Sequence, residues 1–285
     1  MRGLIDHGIA SHHLTHEPYS APEHMYKLYF GLGQCLTLIH APDVFNVSLA
    51  GVRLGHCLVK KLGSTAPNGS LLDIGTGSGV HALLMRKLGN NDITATDISE
   101  SSIEQAKINE HINFNQHTIS FITSDLFTNV PKRQFHTIIF NPPGWRTPSQ
   151  YFIKKLEISD QPAQLPASAM FYGEAVLSRF LDELPKYLKP TGIAIVGLNS
   201  LVGIRDVLDR YNQKHNHNPP LLYKLIERHT FPLFHYSAKW QILSANLHSE
   251  FNDWERHDMA AFSVDSNGTI YWSYEIIEFF HRPTA

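Results

Sequence analysis

The chain has 285 residues, 42% of them hydrophobic and 18% charged, a balance that fits a globular protein and excludes disorder or a coiled coil. Lys plus Arg number 24 against 26 Asp plus Glu, a net charge of −2, which supplies no global attraction to nucleic acid or anionic lipid. No run approaches the roughly 18 uninterrupted apolar residues of a membrane span, and the only cysteines, Cys35 and Cys57, give neither a disulfide framework nor a metal-ligand spacing.

From the start of the chain, Met1 to Ser20 carries several His and a Pro where a signal peptide needs an apolar core, so the expected compartment is the cytoplasm. The chain has 18 His. Its groups, such as His12-His13 with His16 and His215 with His217, lack Cys or carboxylates at ligand spacing, so they read as solvated loop residues and no metal is expected. Tyr26 to His40 has the composition of strands, and Ala50 to Leu62 that of a helix entering the core. Leu71 to Ile74 is a short apolar strand, followed by the turn Gly75-Thr76-Gly77-Ser78-Gly79 and a helix over Val80 to Leu88. Ile93 to Thr96 is the next strand, ending at Asp97. Ser99 then caps a helix whose apolar face is Ile103, Ala106, Ile108 and Ile112.

Thr118 to Thr123, Thr137 to Phe140 and Gly192 to Leu198 read as further strands, the last after a helix over Gly173 to Leu188. Pro148, Pro162 and Pro166 disfavour a continuous helix between Trp145 and Ser168, which reads as a substrate loop. Beyond Ser200 come a helix to about His215, apolar segments from Leu221 to Phe234 and a strand over Thr269 to Phe280. Strands alternating with helices predict an α/β fold, a parallel sheet with helices on both faces. The expected division is a core domain over residues 60–285 and an N-terminal extension, residues 1–59, that acts as a lid on the substrate pocket.

A strand, a Gly-rich turn and a helix together aim backbone N–H groups and a positive helix end at a ligand. The spacing Gly75-x-Gly77-x-Gly79 is neither the dinucleotide fingerprint, whose last Gly position is Val80 here, nor a phosphate-cradling loop with its Lys. Asp97, at the end of the next strand, stands where a carboxylate would grip a ribose diol.

Leu71 to Gly79 resembles motif I of the class I methyltransferases that use S-adenosylmethionine (SAM). The resemblance continues in order through Asp97, Ser124-Asp125-Leu126-Phe127 and Asn141-Pro142-Pro143, and covers about residues 45 to 200. It implies a Rossmann-like core built on a mostly parallel seven-stranded sheet, with SAM as cofactor and Asn141 among the residues that touch it. Gly75, Thr76, Gly77 and Gly79 would wrap the methionine part and Asp73 would help hold its amino group. Asp97, with Ile98 beside it, would take the ribose hydroxyls; Asp125 and the Leu126 backbone would meet the adenine.

Phe140-Asn141-Pro142-Pro143-Gly144-Trp145 lies at a strand exit beside the expected methyl group. An amide or aryl amine is a poor nucleophile because its lone pair is delocalised, so catalysis needs orientation more than a strong base. Asn141 offers the hydrogen-bonding groups, Pro142 and Pro143 fix the backbone, and an aromatic wall holds the acceptor. Asn141, Pro142, Trp145 and Tyr172 are therefore the candidate catalytic residues, with a cation–π contact from Trp145 to the sulfonium as an option. The motif resembles Asn-Pro-Pro-Tyr/Phe of methyltransferases acting on glutamine, adenine or guanine nitrogen, including the release-factor glutamine methyltransferases, but here Gly144 takes the fourth position. Trp145 as core filler and Tyr172 as a helix-start packing residue are the bland alternatives. His81 reads as structural rather than cofactor-facing, and His235-Tyr236 as pocket-lining only by chance.

The reaction expected is methyl transfer to a nitrogen of a small molecule or a protein amide. Nucleic acid is disfavoured because the basic residues are scattered pairs, no membrane is implied, and the oligomeric state is open. A cyclase or lyase of the same fold that consumes SAM, releasing methylthioadenosine, is the alternative, and a non-catalytic SAM-binding protein the least favoured.

Overall fold

β1 (Met25–Tyr29) and β2 (Cys35–Ile39) form an antiparallel hairpin in the computed structural model, which describes residues 25–39, 41–63, 69–159, 167–233 and 243–283. The chain divides into two compact units. One comprises residues up to Asn141 with Lys186–Ile195; the other comprises Pro142–Pro185 with Val196 onward.

In the first unit the hairpin is followed by α1 (Leu49–Leu62), β3 (Leu71–Ile74), α2 (Val80–Lys87), β4 (Ile93–Asp97), α3 (Glu100–Phe114), β5 (Ser120–Thr123) and β6 (Phe135–Phe140). The sheet order is β5-β4-β3-β6-β7, where β7 (Leu188–Asn199) runs on into the second unit. β3 pairs in parallel with β4 and β6, and β4 with β5. Every residue of β3 is buried, as a central parallel strand covered on both faces must be.

The second unit contains α4 (Gln150–Ser159), α5 (Gly173–Tyr187), α6 (Ile204–Lys214), β8 (Leu221–Pro232), α7 (Ser244–Arg256), β9 (Phe262–Val264) and β10 (Ile270–His281). Its order is β7-β10-β8, with β10 antiparallel to both β8 and β9. Counting β7 once, five strands and two more make the seven expected, and β9 is an eighth. The fold is α/β and Rossmann-like, with a mostly parallel sheet.

Local chemistry accounts for two helix starts. Ser99 caps α3 by accepting from the Ser102 N–H, and Ser48 caps α1 through the Gly51 N–H. Four readings change. The loop expected from Trp145 to Ser168 contains α4, because Pro148 and Pro162 bracket a segment that is free of proline. β7 starts at Leu188, directly after α5. α7 and β9 had no counterpart in the sequence pattern. On α3, Ile108 is exposed while Gln105, Asn109 and Glu110 are buried. The reason is that this helix packs through polar groups: Asn109 accepts from Ile39 N–H and Asn113 from Thr37 N–H, while Glu110 takes the Thr118 and Ile119 N–H groups and pairs with Arg86. The expected boundary at 59/60 lies within α1. His12, His13, His16, His40, Phe234, His235 and Tyr236 lie outside the described residues. Among the described residues no helix is long and apolar enough to cross a membrane.

Candidate active site

The Gly turn is held from both sides by carboxylates. Asp73, buried in β3, accepts at Oδ2 from Thr76 Oγ1 (2.6 Å) and from the Ala82 N–H (3.1 Å), so it braces the turn and the first turn of α2. Burial pushes its carboxyl up to about 7. Gly75, Gly77 and Gly79 all have positive φ. Gly79 also allows close helix approach, because a Cβ there would lie 3.0 Å from Ala106 Cβ. At Gly77 a Cβ would meet nothing within 4 Å, which leaves open space over the turn.

Hydrogen bonds tie three strand-end loops together. Thr76 N–H donates to Thr96 O (2.8 Å), Gly77 N–H to Asp97 Oδ2 (2.8 Å) and Ser124 N–H to Asp97 O (2.7 Å). Asp97 Oδ1 accepts from Ser99 N–H at 2.9 Å. Burial raises the Asp97 carboxyl, opposed by these N–H donors. Ile98, next along, is 71% exposed. Ser124 Oγ donates to Leu126 O and accepts from Asn129 N–H, fixing a loop in which Leu126 has φ +48°. The structure thus gathers Asp73, the three glycines, Thr76, Asp97, Asp125 and Leu126 along the carboxyl ends of β3, β4 and β5.

Asn141 follows β6 directly, on the same rim of the first unit. The first turn of α1 lies beside it: a Cβ on Gly51 would come within 3.8 Å of Asn141 Nδ2. His81 is buried, with Nε2 2.9 Å from Gly51 O, so the structural reading of this residue holds.

In the second unit, Gly144 leaves no room for a side chain, because a Cβ there would stand 2.8 Å from Asn199 Nδ2 and 3.1 Å from its Cβ. Trp145 is 3% exposed, with its ring edge-on to Phe171 (5.3 Å) and Phe251 (5.6 Å). This corrects the expectation of a stacking surface: the indole is core, packed by two aromatic rings and buried from solvent. Its backbone is bonded at both ends, N–H to Met170 O and carbonyl to Gly173 N–H. Tyr172 behaves differently. It is 38% exposed at φ +66°, and its carbonyl accepts from the Ala175 and Val176 N–H groups to start α5. A left-handed non-glycine residue is a strained placement. Gly173 beside it touches the Pro143 carbonyl so closely that a Cβ would overlap it.

Sequence reasoning missed Asn199, Glu174 and Arg146. Glu174 accepts the Thr147 N–H with both oxygens, and Arg146 is buried against Asp206 (2.7 Å). Glu174 and Arg146 carry no local signature, since each acts on a distant segment, whereas Asn199 also caps the short turn after it by accepting the Leu201 N–H. Among the described residues no group of His, Cys, Asp and Glu could hold a metal.

A family model described as the methyltransferase small domain matches residues 36–154. A Methanocaldococcus jannaschii protein, provisionally named a protein N5-glutamine methyltransferase, is 33% identical over 143 residues, covering 50% of this chain and 68% of that protein. A release factor glutamine methyltransferase of Rhodopirellula baltica is 29% identical over 160 residues, and the chain spans about half of its length (52% of this chain, 51% of that protein). Among solved structures, a 16S rRNA N2 G1207 methyltransferase of T. thermophilus in complex with AdoMet and guanosine superimposes with TM-score 0.54 at 16% identity, covering 93% of this chain and 53% of that one; this bears on the fold alone. The chain belongs to the class I SAM-dependent methyltransferases, and SAM is its cofactor. The residues present fit that group: open space over Gly77, a carboxylate at Asp97 and an exposed apolar Ile98 suit a cationic nucleoside. The cyclase alternative finds no support in relatives named for methyl transfer.

Proposed function

We propose that this methyltransferase acts on the side-chain amide nitrogen of a glutamine in a protein acceptor. The observation that carries this reading is Asn141, an amide at the exit of β6 on the rim that bears the Gly turn, with Gly51 closing in on its nitrogen. Support comes from relatives named for glutamine methylation in M. jannaschii, R. baltica and Buchnera aphidicola.

Bound SAM would supply an electrophilic methyl group. Gly75, Thr76, Gly77 and Gly79 would follow its methionine part, with Asp73 bracing that turn and facing the amino group. Asp97 would accept from the ribose hydroxyls. Ile98, Asp125 and the Leu126 backbone would flank the adenine. Asn141 would accept from the acceptor's N–H and so hold its lone pair in line, while Pro142 fixes the neighbouring carbonyl; orientation of this kind can lower a barrier by several kcal/mol, about 7–11 at most. Tyr172 would offer the aromatic surface that Gly144 lacks.

A second reading, a nucleobase amine, draws on a Vibrio campbellii tRNA1(Val) (adenine(37)-N6)-methyltransferase that is 35% identical over 105 residues, 36% of this chain and 42% of that one. Methyl-tritiated SAM incubated with a purified bacterial release factor in one tube and total tRNA in another separates the two. Label in the protein supports the amide reading; label in the tRNA alone overturns it.

A further inference from the structure

We propose that His81 is a positioning residue for the Asn141 amide and acts through the first turn of α1. His81 is the second residue of α2, immediately after the cofactor turn, and its Nε2 lies 2.9 Å from Gly51 O. A carbonyl cannot donate, so the ring must be the Nε2–H tautomer. Burial pushes its pKa down to about 4, and it keeps that single proton at ordinary pH.

The bond is not required to satisfy Gly51. In the third position of α1, that carbonyl already has a helical partner one turn on. A buried imidazole is also costlier to desolvate than an apolar side chain of similar size. What the contact adds is direction. The Gly51 N–H is donated to Ser48 Oγ at 3.1 Å, so the residue is pinned at its nitrogen by the cap and at its oxygen by His81. Its bare Cα then faces Asn141. A methyl there would stand 3.3 Å from Val47 Cγ1 and 3.8 Å from Asn141 Nδ2, so a small rotation of this turn would open or close the space beside the amide. α2 begins at the Gly turn, and His81 therefore links the cofactor turn, the start of α1 and the amide in one chain of contacts. The importance of Asn141 rests on the amide-methylation reading; the contact chain does not.

The test uses the full-length protein labelled with 15N, and needs no acceptor. In wild type, Gly51 Hα should show a nuclear Overhauser contact to the Asn141 side-chain NH2, whose signal is identified by its loss in Asn141→Asp. In His81→Leu that NH2 signal should shift and the Gly51 amide should exchange about tenfold faster, while S-adenosylhomocysteine affinity stays within threefold. His81→Gln, which keeps a donor, should restore both. An Asn141 signal that is the same in His81→Leu as in wild type overturns the proposal, as does a Gln variant that behaves like Leu. Should His81→Leu not fold, absence of the Gly51–Asn141 contact in wild type overturns it equally. A failure here leaves the amide reading standing, and a failure of label transfer to protein leaves these contacts standing.

Discussion

Replacing Asp97 by Ala separates bracing of the turn from recognition of the nucleoside. The carboxylate holds Gly77 N–H at 2.8 Å and Ser99 N–H at 2.9 Å. Bonds to a charged group contribute about 1.5–3 kcal/mol each, but both N–H groups lie in loops that water can reach, so the loss in unliganded stability should be about 1–2 kcal/mol. Two ribose hydroxyls on the same carboxylate would add a binding loss of about 3–4 kcal/mol, or 100- to 1000-fold in affinity. Calorimetric titration with S-adenosylhomocysteine measures that loss. The control is an analogue lacking the 2′- and 3′-hydroxyls, for which the same substitution should change affinity less than about threefold. Equal losses for the two ligands would show that Asp97 only shapes the turn, and the assignment of the ribose to it would be refuted.

Other substitutions test separate residues. Trp145→Phe should leave the ratio of SAM to S-adenosylhomocysteine affinity unchanged, because the indole is core; Trp145→Ala should cost about 3–5 kcal/mol in urea unfolding. Tyr172→Gly should relieve the left-handed strain, raising stability by about 1 kcal/mol, yet lower kcat/KM on the unmethylated acceptor about tenfold through loss of the aromatic surface. Asp73 gives a pH signature. Its carboxyl is raised from 3.8 to about 7 by burial, so between those values the folded protein holds a proton that the unfolded chain has lost, and stability falls as pH rises through the window. The slope from this group approaches about 1.4 kcal/mol per pH unit. Urea titrations from pH 5 to pH 8 should show that slope in wild type and a smaller one in Asp73→Asn.

The cofactor half of the site was legible because its signals are local. Gly75, Gly77 and Gly79 need positive φ whatever surrounds them, and Asp97 ends a strand that alternation and turn chemistry already mark. The parallel pairing of the strands followed from the same alternation, though not their order in the sheet. Trp145 and Gly144 were not legible, since burial around them is decided by distant partners. Trp145 reads as an exposed aromatic after Pro-Pro-Gly until Phe171 and Phe251 close on it, and Gly144 reads as a lost aromatic until Asn199 is seen to fill its space. α3 misled through its apolar spacing, because buried Asn109 and Glu110 satisfy backbone groups of β2 and of the segment before β5. α7 was missed because its three buried residues, Leu247, Phe251 and Trp254, sit among polar ones in a 13-residue helix.

The most direct test of amide methylation is mass spectrometry of a release factor incubated with the protein and deuteromethyl-SAM, for wild type and Asn141→Ala in parallel. The expected result is one deuteromethyl group on a glutamine side-chain nitrogen with wild type, and at least about a hundredfold less with Asn141→Ala at unchanged S-adenosylhomocysteine affinity. A label on any other atom, or equal labelling by the two proteins, would contradict the account.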